Sequence, residues 1–378
     1  MGIIKKQIED IINGSKKSSL FSFGSFLLFV SVVYLFAVKT RIFLYKINFF
    51  RSRQLPCFVI SVGNLTAGGA GKTPMTIKLV ELIRSMGYKV AVLSRGYKGG
   101  LEKEGGIVCD GRKILVGPDM SGDEPFMMAS ALNVPVAVGQ DRYKVGMKVV
   151  NEFSPDVIVL DDAFQHIKLK RDLDLLLMDY CRPTGNTHLL PRGPLREPVS
   201  SISRCDTIIF TRSDQAPDSE HEKSHERIIK VSGVRPFFMS SHEPYIYKII
   251  KKTGSSDNEG KCHEDNFEFL KGKKVFLFSG ISRNNDFKKT VETFNCEING
   301  RLNFSDHHKY CDKEFDTISQ LSIDANVDYI ITTEKDYSRT SGFYRWPVDL
   351  VIIGIKISFD DNENEFLNYI RNKLGIVS

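Results

Sequence analysis

Short runs of apolar residues recur along most of the chain, and amphipathic stretches separate them. Residues 57–62 form one such run, and a glycine-rich turn follows it. Residues 72–86 then place apolar side chains at helical spacing, and 89–93 form a second run. Further runs lie at 134–138, 157–160, 173–178 and 207–210. Short apolar strands that alternate with helices predict an α/β fold, in which helices cover both faces of a parallel sheet.

The pattern changes near residue 213. The chain is polar from there to about 267, with one short strand pattern at 245–250, and strand-like runs resume at 274–278, 327–332 and 348–355. This arrangement predicts a second, smaller α/β unit joined to the first by a hinge near 213. We therefore expect three parts, at 1–53, 54–212 and 213–378.

One segment near the N-terminus is apolar without interruption. No charged residue occurs between Lys17 and Lys39, and a helix of this length rises about 31 Å, close to the ~30 Å thickness of a hydrocarbon core. Acidic residues before the run and the lack of a small-residue cleavage pattern disfavour a secretory signal. Residues 41–51 mix aromatic and cationic side chains, as a helix at an anionic membrane surface would. The segment predicts a membrane anchor that either spans the bilayer or inserts into one leaflet, and a buried soluble helix is the alternative.

The distribution of charge supports this assignment. The chain has a net charge of +6, which by itself would suit either nucleic acid or a lipid surface. Residues 1–53 contain nine basic and two acidic side chains, so the remaining body is close to neutral at −1. The body carries no nucleic-acid recognition motif. We expect no nucleic-acid partner, and the excess charge favours an anionic membrane surface.

The glycine-rich turn at 63–73 contains the clearest chemical signal. A loop of this kind binds phosphate because backbone N–H groups at a helix N-terminus face the anion and glycines permit its close approach. Lys72 would reach the β- and γ-phosphates, and the Thr73 hydroxyl would bind Mg²⁺. Thr66 replaces a glycine of the common pattern. The sequence predicts a nucleotide site formed by Thr66, Ala67, Gly68, Gly69, Ala70, Gly71, Lys72 and Thr73.

Acidic residues occur where such a site needs them. Asp161 and Asp162 follow the apolar run at 157–160, and carboxylates at the end of a neighbouring strand suit Mg²⁺. The acidic turn at 122–125 is ambiguous, because helix capping explains it equally well. The Asp306–His307–His308 cluster could be a metal ligand, a general base or a surface turn. A carboxylate beside a histidine would accept the proton released in phosphoryl transfer, if closure of the second unit brought residues 123 and 307 together.

Several motifs in the same order resemble those of the tetraacyldisaccharide 4'-kinase family, the lipid A 4'-kinases. The matching segments are 61–74, 93–97, 122–125, 160–166, 171–175, 190–198, 304–308 and 332–336. Threonine at position 66 is usual in that family, as is an N-terminal membrane helix. The long N-terminal extension and the polar 213–265 segment have no assured counterpart.

The resemblance implies a P-loop NTPase-like fold and ATP- and Mg²⁺-dependent phosphorylation of the 4'-hydroxyl of a tetraacylated glucosamine disaccharide 1-phosphate, which yields lipid IVA at the cytoplasmic face of the inner membrane. Residues 54–212 would bind the nucleotide, and 213–378 would close over the active site. The implied catalytic residues are Asp123 as base, His307, Lys72 and Asp162. The implied nucleotide contacts beyond the loop are Gln165, His166 and Glu197, and the implied Mg²⁺ ligands are Thr73, Asp161, Asp162 and Glu124. Arg95, Arg192 and Arg196 would meet a phosphate or form ordinary ion pairs.

Two other functional classes compete with a lipid kinase. A membrane-associated P-loop ATPase or GTPase switch would share the phosphate loop and the anchor. A GTPase should carry an N-K-x-D string, and the nearest sequence is 333–336. A switch also has no need for both the acidic turn and the distant Asp-His-His cluster. We expect a membrane-anchored kinase whose partners are its acylated substrate and the membrane surface, with no obligate protein partner.

Overall fold

The structure of the protein, a computed structural model, describes residues 23–215, 228, 230, 233, 236–252, 266–340 and 344–375. The charged N-terminal part of the predicted anchor and much of the predicted polar connection at 213–267 lie outside the described residues.

The helices and strands follow the alternation expected from the sequence. The helices are α1 (Phe23–Lys46), α2 (Lys72–Ser85), α3 (Pro118–Ser121), α4 (Asp123–Ala131), α5 (Arg142–Phe153), α6 (Asn284–Glu292), α7 (Asp312–Asp324), α8 (Glu334–Tyr337) and α9 (Glu363–Lys373). The strands are β1 (Phe58–Asn64), β2 (Val90–Ser94), β3 (Gly106–Asp110), β4 (Pro135–Val138), β5 (Val157–Asp161), β6 (Leu173–Asp179), β7 (Thr207–Thr211), β8 (Phe237–Ile250), β9 (Lys274–Ser279), β10 (Glu297–Asn303), β11 (Tyr329–Thr333) and β12 (Asp349–Ser358). The predicted fold class, an α/β protein with a mostly parallel sheet, is confirmed.

The described strands form one sheet in the order β10-β9-β11-β12-β8-β7-β6-β1-β5-β2-β4-β3. Every neighbouring pair is parallel except β3 with β4 and β8 with β12. Strand β1 lies between β5 and β6, so these three strands end at one edge of the sheet. In an open parallel sheet this carboxyl-end edge is where ligands bind.

Strand β8 is much longer than the predicted strand at 245–250. Residues 237–240 pair with β7 in parallel, whereas 241–250 pair with β12 in the antiparallel sense. This single strand therefore joins the two groups of strands, and the sheet continues across the predicted hinge region. The division into domains at 54–212 and 213–378 stays a prediction.

The C-terminal helix packs on the N-terminal half of the sheet. Phe366 and Ile370 of α9 belong to the same buried apolar cluster as Leu79 and Ile83 of α2. Lys78 also forms an ion pair with Glu363 at 2.5 Å. The last helix thus returns from the second group of strands to the core that carries the phosphate loop.

Helix α1 is the one helix among the described residues that is long and apolar enough to cross a membrane. One face of it contacts the body, where Gly24, Leu27, Ser31 and Val38 are buried. The opposite face exposes large apolar side chains, and Phe29 is 66% exposed. The spacing of the buried residues follows the helical repeat, so a single stripe of α1 docks on the protein.

Two strands were not expected from the apolar pattern. Strand β10 lies at an edge of the sheet and alternates between half-buried and exposed positions, so it lacks a continuous apolar run. Strand β3 lies at the other edge and pairs antiparallel with β4. Edge strands need fewer apolar residues than central ones because neighbours cover them less completely.

Candidate functional site

The loop between β1 and α2 has the geometry of a phosphate-binding turn. Gly71 precedes the first turn of α2 with φ of 76°, in the left-handed region that favours glycine. Gly63 is required for a different reason, because a Cβ there would lie 2.6 Å from the Phe164 Cβ. The amide nitrogen of Ala67 donates to the Pro194 carbonyl at 2.6 Å, which ties the start of the loop to the 190–198 segment. The free N-terminus of α2 consequently faces the edge of the sheet where β1, β5 and β6 end.

A cavity of about 1690 Å³ opens at this edge. Residues from distant parts of the chain line it, including residues of α1. The predicted site residues among its lining are Gly68, Gly69, Ala70, Gly71, Lys72, Thr73, Asp123, Glu124, Asp162, Gln165, His166, Arg95, Arg196 and His307. The fold therefore assembles most of the predicted residues around one space.

The two aspartates at the end of β5 have different surroundings. Asp161 is fully buried and accepts hydrogen bonds from the Thr76 hydroxyl at 3.1 Å and the Ser94 hydroxyl at 3.3 Å. Burial raises the pKa of Asp161 to about 7, and the negative charges of Glu124 and Asp162 add to the effect. A site that crowds carboxylates in this way favours a bound cation.

Asp162 faces the cavity in a left-handed conformation, with φ of 49°. Its carboxylate accepts two hydrogen bonds from Arg196 at 2.8 and 3.0 Å, and the Lys72 Nζ lies 3.8 Å away. Burial by itself would raise the pKa of Asp162, but the charges of Lys72 and Arg196 outweigh it and the pKa is lowered. Asp162 is therefore ionised at neutral pH.

The donors around the cavity suit Mg²⁺ when phosphate oxygens complete the shell. Carboxylates and the Thr73 hydroxyl offer the hard oxygen ligands that this ion prefers. Within the described part of the chain, no three histidine, cysteine, aspartate or glutamate side chains cluster closely enough to hold a metal by themselves. Mg²⁺ normally uses one or two carboxylates together with waters and substrate phosphates, so the donor set fits the ion as a partner of a bound nucleotide.

Asp123 and His307 meet although 184 positions separate them. The His307 Nδ1 lies 3.0 Å from the Asp123 Oδ2, at the start of α4. His307 has φ of 60°, so its backbone is in the left-handed region, and the Tyr97 ring packs edge-on against it at 5.7 Å. Burial would raise the pKa of Asp123, but the hydrogen bond from His307 and the charge of Arg339 lower it. The geometry is that of a carboxylate supported by a histidine at the rim of the cavity.

Gln165 and His166 follow the acid pair and lie beside the loop. The Gln165 side-chain amide donates to the Asn64 carbonyl at 2.7 Å, which holds the end of β1. The buried Nε2 of His166 has no hydrogen-bond partner in the part of the chain that the structure describes. Burial, with the charge of Arg142, lowers the pKa of His166 to about 4. This imidazole is neutral at physiological pH, and His166 is among the residues that line the cavity.

Glu197 is in a different place from the one expected of a phosphate neighbour. Its carboxylate is fully buried and lies between Arg41 of α1, at 3.0 Å, and Arg204, at 2.6 Å. Arg192 likewise donates to the Gly24 carbonyl of α1 at 2.6 Å. Both residues fasten α1 to the body, and neither lines the cavity.

Among the charged residues of the cavity region that were not singled out from the sequence, three contact one another. Arg212 donates to the Gly69 carbonyl at 2.9 Å and to Asp179 at 2.7 Å, and Arg283 reaches the same Asp179 oxygen at 2.7 Å. Asp179 ends β6, so the rule that marked Asp161 as a strand-end acid would have found it. The two arginines carry no comparable signal, since each lies in a loop.

Comparison with known proteins agrees with the resemblance seen in the motifs. The family model described as tetraacyldisaccharide-1-P 4'-kinase (LpxK) matches residues 23–375. A tetraacyldisaccharide 4'-kinase of Desulfatibacillum aliphaticivorans is 37% identical over 378 residues and is covered completely in both chains. The corresponding enzyme of Syntrophus aciditrophicus is 38% identical over 314 residues, 81% of each chain.

A solved structure gives the same assignment. LpxK from Aquifex aeolicus, determined in complex with ATP, superposes with a TM-score of 0.71 at 28% identity and covers 93% of this chain and 100% of its own. The family model extends over both the phosphate loop and the Asp123–His307 pair. The chain belongs to the tetraacyldisaccharide 4'-kinase family.

Proposed function

We propose that the protein transfers the γ-phosphate of ATP to the 4'-hydroxyl of a tetraacylated glucosamine disaccharide 1-phosphate and so forms the bisphosphorylated precursor lipid IVA. The observation that carries this proposal is the single cavity lined by the phosphate loop, the Asp123–His307 pair and helix α1. A kinase for a lipid needs these three parts in one place, namely a nucleotide site, a base and access from a membrane.

Nucleotide binding would follow the usual pattern of phosphate loops. Backbone N–H groups of residues 66–73 would cradle the phosphates at the N-terminus of α2, with Lys72 neutralising their charge. Asp161, Asp162 and Thr73 would hold Mg²⁺, with Glu124 as a further carboxylate. When bound, the ion would neutralise part of the negative charge of the nucleotide phosphates. The neutral His166 and Gln165 would contact the nucleotide from the side of the acid pair.

Asp123 would accept the proton of the 4'-hydroxyl during transfer. Its lowered pKa keeps the carboxylate ionised at neutral pH, and His307 holds it through one oxygen. The acceptor oxygen then forms its bond to the γ-phosphorus while the bond to the bridging oxygen breaks, and ADP leaves. Proton transfer to a positioned base contributes about 10²- to 10⁴-fold to such a reaction.

Helix α1 would present the acyl chains to the cavity from the inner membrane. Tyr34, Val38 and Arg41 of α1 line the cavity, while Phe26, Phe29 and Phe36 point away from the body and are 61–68% exposed. Because one face of α1 docks on the protein, lipid can surround only the other face. We infer that α1 inserts into one leaflet at the cytoplasmic face, where ATP is available.

A transfer assay tests this function. Protein in detergent micelles is given γ-radiolabelled ATP, Mg²⁺ and the tetraacylated disaccharide 1-phosphate, and the lipids are separated by thin-layer chromatography. We expect a labelled lipid product with the wild type, and a rate at least about 100-fold lower for Asp123→Asn. Asp324→Asn, an exposed aspartate at the end of α7, is the matched control and should retain full activity. Release of phosphate without labelled lipid would favour a P-loop switch and refute the kinase assignment.

A further inference from the structure

Arg339, just after α8, carries a guanidinium group that the structure fixes from several sides. Its side chain is 4% exposed. The Nη1 donates to the Gly280 carbonyl at 2.9 Å and to the Asp336 Oδ1 at 3.2 Å. Asp336 is itself fully buried and accepts hydrogen bonds from the Tyr310 hydroxyl at 2.9 Å and the Gly280 amide at 2.9 Å. These contacts, which lie outside the active site, already hold the guanidinium in one orientation.

The remaining nitrogens of Arg339 point at the Asp123–His307 pair. Nε donates to the Asp123 Oδ2 at 2.7 Å, and this oxygen also accepts the hydrogen bond from the His307 Nδ1 at 3.0 Å. Among the described residues, no hydrogen bond reaches the other oxygen, Oδ1. Two donors on one oxygen fix the plane of the carboxylate and leave Oδ1 for the acceptor hydroxyl.

The contact with Asp123 settles the orientation of the imidazole. An ionised carboxylate can only accept a hydrogen bond, so the His307 Nδ1 carries a proton and donates it to the Asp123 Oδ2 at 3.0 Å. Arginine can also only donate, so the Arg339 Nη2, 3.4 Å from the same nitrogen, makes no hydrogen bond with the protonated Nδ1. His307 is consequently held as the tautomer that donates from Nδ1, which is the form that supports the carboxylate.

Lys335, one helical turn before Arg339, binds the neighbours of this pair. Its Nζ lies 3.3 Å from the Glu124 Oε1 and 3.5 Å from the Asp306 Oδ1. The two cations are four positions apart and so lie on the same side of the chain. Lys335 joins the 122–125 turn to the 304–308 loop without help from Arg339. Replacing Arg339 should therefore leave these two segments together, and it should release only the carboxylate of Asp123.

We propose that Arg339 is a positioning residue for phosphoryl transfer, which holds Asp123 and His307 so that the Asp123 Oδ1 receives the proton of the acceptor hydroxyl. This inference rests on the proposed kinase function. In the step itself, the acceptor O–H bond breaks as its proton moves to Oδ1, the acceptor oxygen bonds to the γ-phosphorus, and ADP leaves with the electrons of the broken P–O bond. Arg339 exchanges no proton and touches neither substrate.

The test compares Arg339→Met and Arg339→Lys with the wild type in the lipid transfer assay. We expect Arg339→Met to lower kcat by about 100-fold, the scale of a misplaced catalytic group. The KM for ATP should stay within about twofold, because Arg339 does not reach the phosphate loop. Arg339→Lys should recover part of the loss, since it keeps the charge without the fork. Arg112→Met, an exposed arginine in the turn after β3, is the matched control and should match the wild type.

A double variant separates positioning from general stabilisation. If Arg339 acts through Asp123, Asp123→Asn combined with Arg339→Met should be no slower than Asp123→Asn by itself, because residues that act as a unit are not additive. Should Arg339→Met melt below the assay temperature, Arg339→Lys replaces it in both comparisons with the same expected signs.

Three results would overturn the inference. They are a kcat of Arg339→Met within about threefold of the wild type, additive losses in the double variant, or a loss that appears in the KM for ATP instead of kcat. If the wild type phosphorylates no lipid, both the proposed function and this inference are refuted. An active wild type with an equally active Arg339→Met variant would remove the inference alone.

Discussion

Replacing Glu197 with glutamine tests whether this residue fastens α1 or serves the nucleotide. The carboxylate is fully buried and pairs with Arg41 at 3.0 Å and with Arg204 at 2.6 Å. The Arg204 guanidinium lies over the Phe164 ring at 4.5 Å, and its Nε and Nη1 are buried without a hydrogen-bond partner in the described part of the chain. Glu197 is therefore the compensating charge for Arg204.

The expected cost follows from the exposure of the two partners. Removing one member of a buried ion pair costs about 3–5 kcal/mol of unfolding free energy. The Arg204 side chain is 20% exposed, so we place the cost of losing the Glu197–Arg204 ion pair near the lower end of that range. Arg41 is 44% exposed, so solvent screens this pair and it adds at most about 1 kcal/mol. Glutamine keeps one acceptor, and we expect a loss of about 3 kcal/mol, or a melting temperature lower by roughly 3–5 °C for a chain of 378 residues.

The assay combines thermal unfolding, followed by circular dichroism in detergent, with the KM for ATP. We expect Glu197→Gln to lower the melting temperature and to leave the KM for ATP within about twofold of the wild type. Glu152→Gln, an exposed glutamate on α5, should change stability by less than about 0.5 kcal/mol. An unchanged melting temperature together with a raised KM for ATP would refute this reasoning and would indicate that Glu197 acts near the nucleotide phosphates.

Further predictions concern the phosphate loop and the acid pair. Lys72→Met should lower kcat by at least about 100-fold in the lipid transfer assay, because it removes the positive charge that stabilises the phosphate during transfer. Full turnover would contradict the assignment of the phosphate loop. Gly63→Ala should cost about 1–3 kcal/mol in urea unfolding, since the new Cβ would lie 2.6 Å from that of Phe164; a wild-type midpoint would show that the loop relaxes freely. Asp161 has its pKa raised to about 7 from 3.8, so its protonated form stabilises the folded protein at low pH and that contribution is lost as the pH rises through 7. Melting temperatures are therefore compared in the presence of a chelator and without nucleotide. The melting temperature of Asp161→Asn should exceed that of the wild type by a difference that grows from about pH 4 to pH 7. A difference that does not depend on pH would argue against the raised pKa of Asp161.

Local patterns in the sequence were sufficient for the elements near the nucleotide site. The apolar run, the glycine-rich turn and the amphipathic stretch predicted β1, the phosphate loop and α2 in the right order, because each depends on residues close in the chain. The same is true of Asp161, which is the last residue of a buried strand. The apolar composition of α1 predicted a membrane segment, but no local pattern indicated that one stripe of it docks on the body.

The edge strands and β8 needed information that local patterns do not contain. Strands β3 and β10 lack a continuous apolar run because each has a neighbour on one side only. The length of β8 reflects its two successive partners, β7 and β12, and partners are chosen by the whole sheet. For the same reason α9, at the end of the chain, lies in the core of the N-terminal half.

The sequence by itself determined the local features of this protein, namely a phosphate loop, a pair of strand-end acids and a long apolar helix, because each is a property of a few consecutive residues. Only the tertiary structure decided which distant groups meet. It brought His307 and Arg339 to the same oxygen of the Asp123 carboxylate, and it placed Glu197 between Arg41 and Arg204 beneath α1. Charged side chains such as these carry no periodic signal, and their partners are fixed by the order of strands in the sheet.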